Sequence, residues 1–251
     1  MLEAYSPEAL DELLAQLPPR RGWNFSCMNV LRQPAPWNYH DLVVRYLRPT
    51  DSVLDIGTGG GETFSQLASF FARGLGLDMD AEMIQLATAN STSGNVSFRV
   101  SSARLEAVSE TFDVILDRHA PFDLDAIAAH LKLAGYFVTQ QVGERNMACV
   151  KAALGQETTR LPVQRQAFAA SGLRLLAFLE YDVEYVVRDI ESLLFWLRAL
   201  DGIHADLDGS AALASVDALN RVLAGNVDER GFVTNEHRYL AVATTHGRQI
   251  R

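Results

Sequence analysis

The densest chemistry in the chain lies in one decapeptide, Val53-Leu54-Asp55-Ile56-Gly57-Thr58-Gly59-Gly60-Gly61-Glu62. An apolar run ends in an acid, and a glycine-rich turn follows it. Gly57, Gly59 and Gly61 remove side chains where the backbone must turn sharply and approach a ligand, and a helix beginning behind them offers free N–H groups. The pattern predicts a nucleotide-like ligand.

Two cofactor geometries share this pattern, and spacing separates them. A pyrophosphate-binding turn reads G-x-G-x-x-G, its third glycine allowing close helix–strand packing. Here the spacing is G-x-G-x-G, and Glu62 takes the place of the final glycine. An acid aimed at the turn repels a pyrophosphate. A sulfonium cofactor with an ammonium group instead tolerates or favours carboxylates such as Asp55. The expected cofactor is therefore S-adenosylmethionine rather than NAD. Asp78, in Gly76-Leu77-Asp78-Met79-Asp80, falls about twenty residues past the turn, where a carboxylate can accept both ribose hydroxyls. Met79 is expected to pack against the adenine, and Asp80 to cap the helix that starts at Ala81.

Methyl transfer is an in-line displacement with a good leaving group, so alignment and exclusion of water carry much of the rate and a general base is optional. For a hydroxyl or protonated amine acceptor the candidate catalytic residue is His119, just past an apolar run and able to titrate near neutrality. Its alternative is a structural histidine bonded to the loop backbone. Arg118 reads as a contact for the cofactor carboxylate or as an ion-pair partner of Asp117. Gln140 and Gln141 alternate faces at a strand end, so one is expected in a core face and the other toward the site. Glu144 orients an acceptor or sits exposed in a loop. Trp23, Phe25, Trp37, Tyr39 and His40 form either an apolar lid or ordinary packing, and Phe195 and Trp196 read as core.

The elements that must position these residues follow from periodicity. Helices are predicted at Pro7–Gln16 and Trp37–Leu47, with an irregular Pro- and Trp-rich stretch between them. Strands are predicted at Ser52–Ile56, Gly74–Asp78, Val96–Val100, Phe112–Asp117 and Tyr136–Val142, with helices at Glu62–Ala72, Ala81–Asn90 and Leu124–Lys132. A helical region at Asn146–Ala170 precedes a long strand, Leu173–Val187, and helices at Ile190–Leu200 and Ser210–Leu223 precede a last strand, Arg238–Thr245. Strands alternating with helices predict an α/β fold with a doubly wound, mostly parallel seven-stranded sheet, the last two strands antiparallel at its edge. A helical cap and a helical insertion before the last strand complete it. One domain is expected over 1–251: cap 1–50, core 51–188, lid 189–236, and final strand and tail 237–251.

Composition sets the outer limits. The 251 residues are 48% hydrophobic and 21% charged, ordinary for a globular protein. A formal net charge of −9 disfavours a broad nucleic-acid surface, although Arg20, Arg21, Arg32, Arg45 and Arg48 cluster near the start. Cys27 and Cys149 lie far apart with no metal-ligand spacing, so neither a disulfide framework nor a metal site is expected. The acidic, amphipathic start lacks the features of a signal peptide, and no apolar run approaches the about 20 residues of a membrane span. The expected setting is the cytoplasm, without a membrane partner.

The segments VLDIGTGGGE, GLDMD and FDVILDRHAPFD, in that order, resemble class I S-adenosylmethionine-dependent methyltransferases, over about Ser52 to Val142. Together with GYFVTQQVGERN they are similar to a group of bacterial methyltransferases of unassigned substrate. The resemblance implies that Asp55, Gly57, Gly59 and Gly61 line the methionine end of the cofactor and that Asp78 binds its ribose; Thr58, inside the same turn, is a further candidate cofactor contact. Many relatives have Gly-Asp-Ala after the third strand; Ser101-Ser102-Ala103 stands there, leaving the Ser102 hydroxyl and the Ala103 N–H for the adenine. The related group carries an acid after Arg-His, where this chain has Ala120. Three functions stay open: transfer to O or N of a small-molecule acceptor, an RNA or protein methyltransferase, and a non-catalytic cofactor sensor. The acceptor and the oligomeric state are not legible.

Overall fold

A computed structural model of the chain describes residues 4–17, 25–155, 165–199 and 216–245. They cluster into two compact units. The larger is drawn from Pro36–Val142, Pro162–Glu180 and Tyr239–Arg251, the smaller from Met1–Ala35, Gly143–Leu161 and Tyr181–Arg238.

The larger unit begins with α2 (Tyr39–Val44), capped by the Asn38 side chain on the Asp41 N–H. Then come β2 (Ser52–Ile56), α3 (Glu62–Gln66) with a 3₁₀ turn (Ala68–Phe70), β3 (Arg73–Asp78) and α4 (Ala81–Asn90). β4 (Val96–Val100), β5 (Phe112–Arg118), α5 (Leu124–His130) and β6 (Leu131–Val142) follow, joined by α7 (Arg165–Ala170) and the near halves of β7 (Leu173–Val187) and β9 (Gly231–Thr245). β2 pairs in parallel with β3 and β5, β3 with β4, and β5 with β6. The strand order is β7-β9-β6-β5-β2-β3-β4. Within the parallel part the chain therefore starts at β2 and winds outward in both directions. The reversal between β2 and β5 is a topological switch point, and the carboxyl ends of the strands at such a point are the usual ligand position in such sheets.

The core of this unit explains why the strands are nearly all apolar. Val53, Leu54, Val114, Ile115, Leu116, Phe137 and Val138 are at most 1% exposed, as expected of parallel strands covered on both faces. Val43, Phe64, Leu67 and Phe71 pack on one face with Leu240 and Val242 of β9.

In the smaller unit α1 (Pro7–Gln16) is capped by Ser6, whose hydroxyl accepts the Ala9 N–H. α6 (Ala148–Ala153), α8 (Ile190–Ala199) and α9 (Val216–Leu223) share an apolar cluster that includes Leu10, Val150, Leu193, Leu197, Leu219 and Phe232. Phe195 and Trp196 are buried in it.

All seven expected strands are present, and two short ones add to them in the smaller unit. β1 (Val30–Arg32) lies in the stretch expected to be irregular and pairs antiparallel with Tyr185–Val187 of β7. β8 (Val227–Asp228) makes a hairpin with β9, which starts at Gly231 rather than at Arg238. Three other boundaries move. α2 is shorter than Trp37–Leu47, the helix after Glu62 breaks at Leu67, and α5 stops at His130 so that β6 begins at Leu131 instead of Tyr136. The last shift has a physical cause: Leu131 pairs with Phe112, and Lys132 reaches Asp113 at 2.8 Å, extending the ladder past a register irregularity. Leu200 and the start of the helix expected at Ser210–Leu223 lie outside the described residues.

The turn after β2 depends on Gly57. Its φ is +69°, and a Cβ there would lie 2.2 Å from the Cβ of Ala120. Gly57→Ala therefore adds backbone strain to a steric overlap, and it is expected to cost about 2–4 kcal/mol in urea unfolding. Ala120→Gly in the same chain should recover part of that loss, because it removes the overlap and leaves the strain.

Candidate functional site

Three strand ends converge at the switch point of the larger unit. β2 delivers Asp55 and the turn Gly57–Gly61, β3 delivers Asp78, and β5 delivers Asp117, Arg118 and His119. The turn is pinned to β3 twice. The Thr58 N–H donates to the Leu77 carbonyl at 2.8 Å, and the Gly59 N–H donates to Asp78 Oδ2 at 2.8 Å. The other Asp78 oxygen accepts the Asp80 N–H at 2.9 Å. Asp80 in turn caps α4 through the Glu82 N–H, as its sequence position predicts.

Glu62 folds back on the turn, its Oε1 2.5 Å from where a Cβ on Gly60 would stand. That carboxylate beside the loop is at odds with a pyrophosphate and compatible with a cation. Met79, next to Asp78, is 79% exposed, an apolar surface beside a ribose-binding candidate. Ser101 extends the β3–β4 ladder by donating its N–H to the Asp78 carbonyl at 2.9 Å, which brings the Ser102–Ala103 turn alongside. The Ser102 hydroxyl is exposed and accepts the Arg104 N–H at 3.3 Å.

Around β5 the charges are acidic and deep. Asp117 is fully buried, and its Oδ1 accepts from Thr139 Oγ1 at 3.2 Å and from Gln141 Nε2. Among the described residues its Oδ2 has no hydrogen-bond partner. Burial, then the charge of Asp55, pushes its pKa well above the ordinary carboxylate range. Asp55 keeps a little solvent access but is packed round by protein, and that burial, with Asp78 adding to it, raises its pKa to about 7. Tyr39 feels both acids, its hydroxyl donating to the Asp117 backbone carbonyl at 3.4 Å. Burial and then the two carboxylates push its phenol well up.

Arg118 does not pair with Asp117: the two side chains lie on opposite faces of β5, one buried and one exposed. The Arg118 guanidinium sits over the Tyr39 ring at 5.6 Å and donates to Thr63 Oγ1 at 3.4 Å. His119 takes a left-handed φ of +63° and donates its N–H to the Gln140 carbonyl at 2.9 Å. Its Nε2 lies 3.2 Å from Gln140 Nε2, and Gln140 Oε1 accepts the Trp37 indole N–H at 2.8 Å.

The structure thus brings together Asp55, Gly57, Thr58, Gly59, Gly61, Asp78, Met79, Ser102, Ala103, Arg118 and His119 at one end of the sheet. Both glutamines are buried; Gln141 serves Asp117 and Gln140 serves His119. Glu144, in the smaller unit, pairs with Arg145 at 3.2 Å. Phe25, also there, packs edge-on against Phe195. His40 packs edge-on against Phe70, while Trp23 lies outside the described residues. Of the arginine cluster, Arg32 pairs with Glu236 at 3.3 Å, and Arg20 and Arg21 lie outside the described residues. Sequence reasoning missed the Trp37–Gln140–His119 chain and the seating of Arg118 on Tyr39. Once β5 and β6 are paired, Arg118 faces Gln140, but nothing in the sequence places Trp37 there. Among the described residues no His, Cys, Asp and Glu group could hold a metal, and no helix is long and apolar enough to cross a membrane.

The raised Asp55 pKa has a consequence for stability. The folded chain holds that proton up to about pH 7, whereas the unfolded chain releases it near the ordinary value. Stability from this group is therefore present at low pH and is lost as pH rises toward 7. Asp55→Asn should match the wild type in stability at pH about 4 and exceed it above pH about 7, measured by urea midpoints across the range.

Comparison with known proteins bears on the fold that carries these residues. Residues 47–167 match the methyltransferase domain family. Over 135 residues the chain is 30% identical to the ribosomal protein L11 methyltransferase of Thermus thermophilus; the match covers 53% of this chain and 50% of that protein, so the chain spans about half the length of this curated relative. A functionally unknown protein from Deinococcus radiodurans R1 has the same fold, with a TM-score of 0.63 at 17% identity, over 87% of this chain and 92% of that one. So does a S-adenosylmethionine-dependent methyltransferase from Thiobacillus denitrificans, solved in complex with S-adenosyl-L-homocysteine, with a TM-score of 0.51 at 16% identity over 83% and 91% of the two chains. Over residues 47–167, then, the chain is similar to the methyltransferase domain family, and its fold is that of the solved S-adenosylmethionine-dependent methyltransferase it matches.

Proposed function

We propose that the protein transfers a methyl group from S-adenosylmethionine to an oxygen or nitrogen of a small-molecule acceptor, as one methyltransferase domain spanning 1–251 with its cap at 1–50 and a helical insertion at 189–236. The observation that carries this reading is the acidic cluster at the switch point. Asp55 and Asp78 stand at adjacent strand ends, and Glu62 lies against the glycine turn. That set suits a ligand bearing cationic groups and a ribose better than a pyrophosphate.

The cofactor supplies an electrophilic methyl on a positively charged sulfur. The chain supplies the holding and aligning. Asp78, already anchored by two backbone N–H groups, retains lone pairs for the ribose hydroxyls. Gly57, Thr58, Gly59 and Gly61 keep the backbone close to the methionine end, with Asp55 nearby for its cationic groups. Arg118, braced by Tyr39 and Thr63, takes the carboxylate. Met79, the Ser102 hydroxyl and the Ala103 N–H bound the adenine. His119 faces the acceptor side.

The net charge of −9 favours a metabolite over a nucleic acid. A protein acceptor is the second reading, supported by the likeness to a ribosomal-protein methyltransferase over about half of each chain. Calorimetric titration with S-adenosylmethionine tests the cofactor assignment. Asp78→Ala is expected to weaken binding by about 1–3 kcal/mol, through lost hydrogen bonds to a charged group. Unchanged affinity would remove Asp78 from the ribose site. A screen of labelled methyl transfer to small acceptors and to ribosomal proteins separates the two readings. Tight binding without turnover on either would point to a sensor.

A further inference from the structure

The Trp37–Gln140–His119 chain has a direction, and the direction is fixed at its Trp37 end. An indole nitrogen only donates, so the Gln140 atom 2.8 Å from Trp37 Nε1 must be the amide oxygen. The amide nitrogen then faces His119 Nε2 at 3.2 Å. That nitrogen also only donates, so His119 Nε2 has to present a lone pair. A neutral imidazole with a bare Nε2 carries its proton on Nδ1. Turning the amide over would set two donors against each other at Trp37. Adding a proton to Nε2 would do the same at His119.

Gln140 is 6% exposed, so water is poorly placed to relieve either clash. The His119 N–H also donates to the Gln140 carbonyl, which ties the two backbones together as well as the side chains. Among the described residues, the charged and titratable groups at this end of the unit include Asp55 of β2, Glu62 of α3, Asp78 of β3 with Asp80 just beyond it, Asp117 and Arg118 of β5, and Tyr39 of α2.

We propose that Trp37 is a positioning residue that, through Gln140, holds His119 as the neutral imidazole protonated on Nδ1. One consequence rests on the methyl-transfer reading. With Nε2 already bonded to Gln140, His119 orients an acceptor rather than removing its proton. The acceptor class is then one that arrives with a ready lone pair, a carboxylate or phenolate oxygen or an unprotonated nitrogen, rather than an aliphatic alcohol.

The test reads the tautomer itself, on the full-length chain labelled with ¹⁵N-histidine, without cofactor or acceptor. Long-range ¹H–¹⁵N correlation at neutral pH should show His119 with a protonated-type Nδ1 and a bare-type Nε2, the signal being assigned by its loss in His119→Gln. Trp37→Phe should admit the Nε2-protonated form, because Gln140 is then able to turn over. Gln140→Glu, which leaves only acceptors facing Nε2, should put a proton there and hold it to higher pH. A wild-type spectrum with the proton on Nε2, or tautomers unmoved in both variants, would overturn the proposal. These spectra stand whether or not the protein proves to be a methyltransferase. In the acceptor screen, turnover on carboxylates or phenols supports the consequence; turnover on aliphatic alcohols that disappears in His119→Gln overturns it.

Discussion

Asp78 accepts the Gly59 N–H while its own strand carries the Thr58 N–H on the Leu77 carbonyl. This small set of bonds joins the end of β3 to the turn after β2 and fixes the path of the glycine backbone. Every later feature of the site presupposes it. With the turn held, Gly57 passes against Ala120, just beyond β5, with no room for a side chain. The ends of three strands are thereby built as one object. A carboxylate that both shapes a loop and keeps lone pairs for a ligand couples folding to binding.

The charges of the site follow from the same arrangement. Asp55 and Asp117 approach each other because β2 and β5 are paired neighbours, in register from Val53 to Ile56. Burial raises both pKa values; Asp78 adds to the rise at Asp55, where Arg118 opposes it, and Asp55 adds to the rise at Asp117. Such a site gains when a cation arrives, since the cation offsets the desolvation that the fold imposes. A phosphate would instead make ionisation of these acids costlier still. In the sequence the choice between cofactors rests on the glycine spacing, Glu62 and Asp55; the fold sets Asp78 at the neighbouring strand end beside them.

Much of this was legible from residue order. The five parallel strands, the acid before the glycine turn, Asp78 and the Asp80 cap each depend on local pattern, and local pattern is what a single sequence carries. β1 was not legible, because three residues carry no periodicity and only the β7 edge makes them a strand. β8 was more accessible: Asp228-Glu229-Arg230-Gly231 is a turn with a terminal glycine, and Gly231 packs tightly against the Val187 carbonyl. The early start of β6 escaped notice because Leu131 and Lys132 suit a helix as well as a strand, and pairing with Phe112 and Asp113 decides between them. At the site, the partners of Arg118 and His119 lie 55 and 21 positions away in the chain, distances over which only the fold specifies contact.

The central claim is that the turn Gly57–Gly61 and Asp78 form a single cradle for a sulfonium nucleoside. A crystal structure of the protein grown with S-adenosyl-L-homocysteine tests it most directly. The account predicts both ribose hydroxyls on the Asp78 carboxylate and the amino-acid end of the ligand along Gly57–Gly61. Ligand density away from β2 and β3, or a ribose that leaves Asp78 untouched, would contradict it.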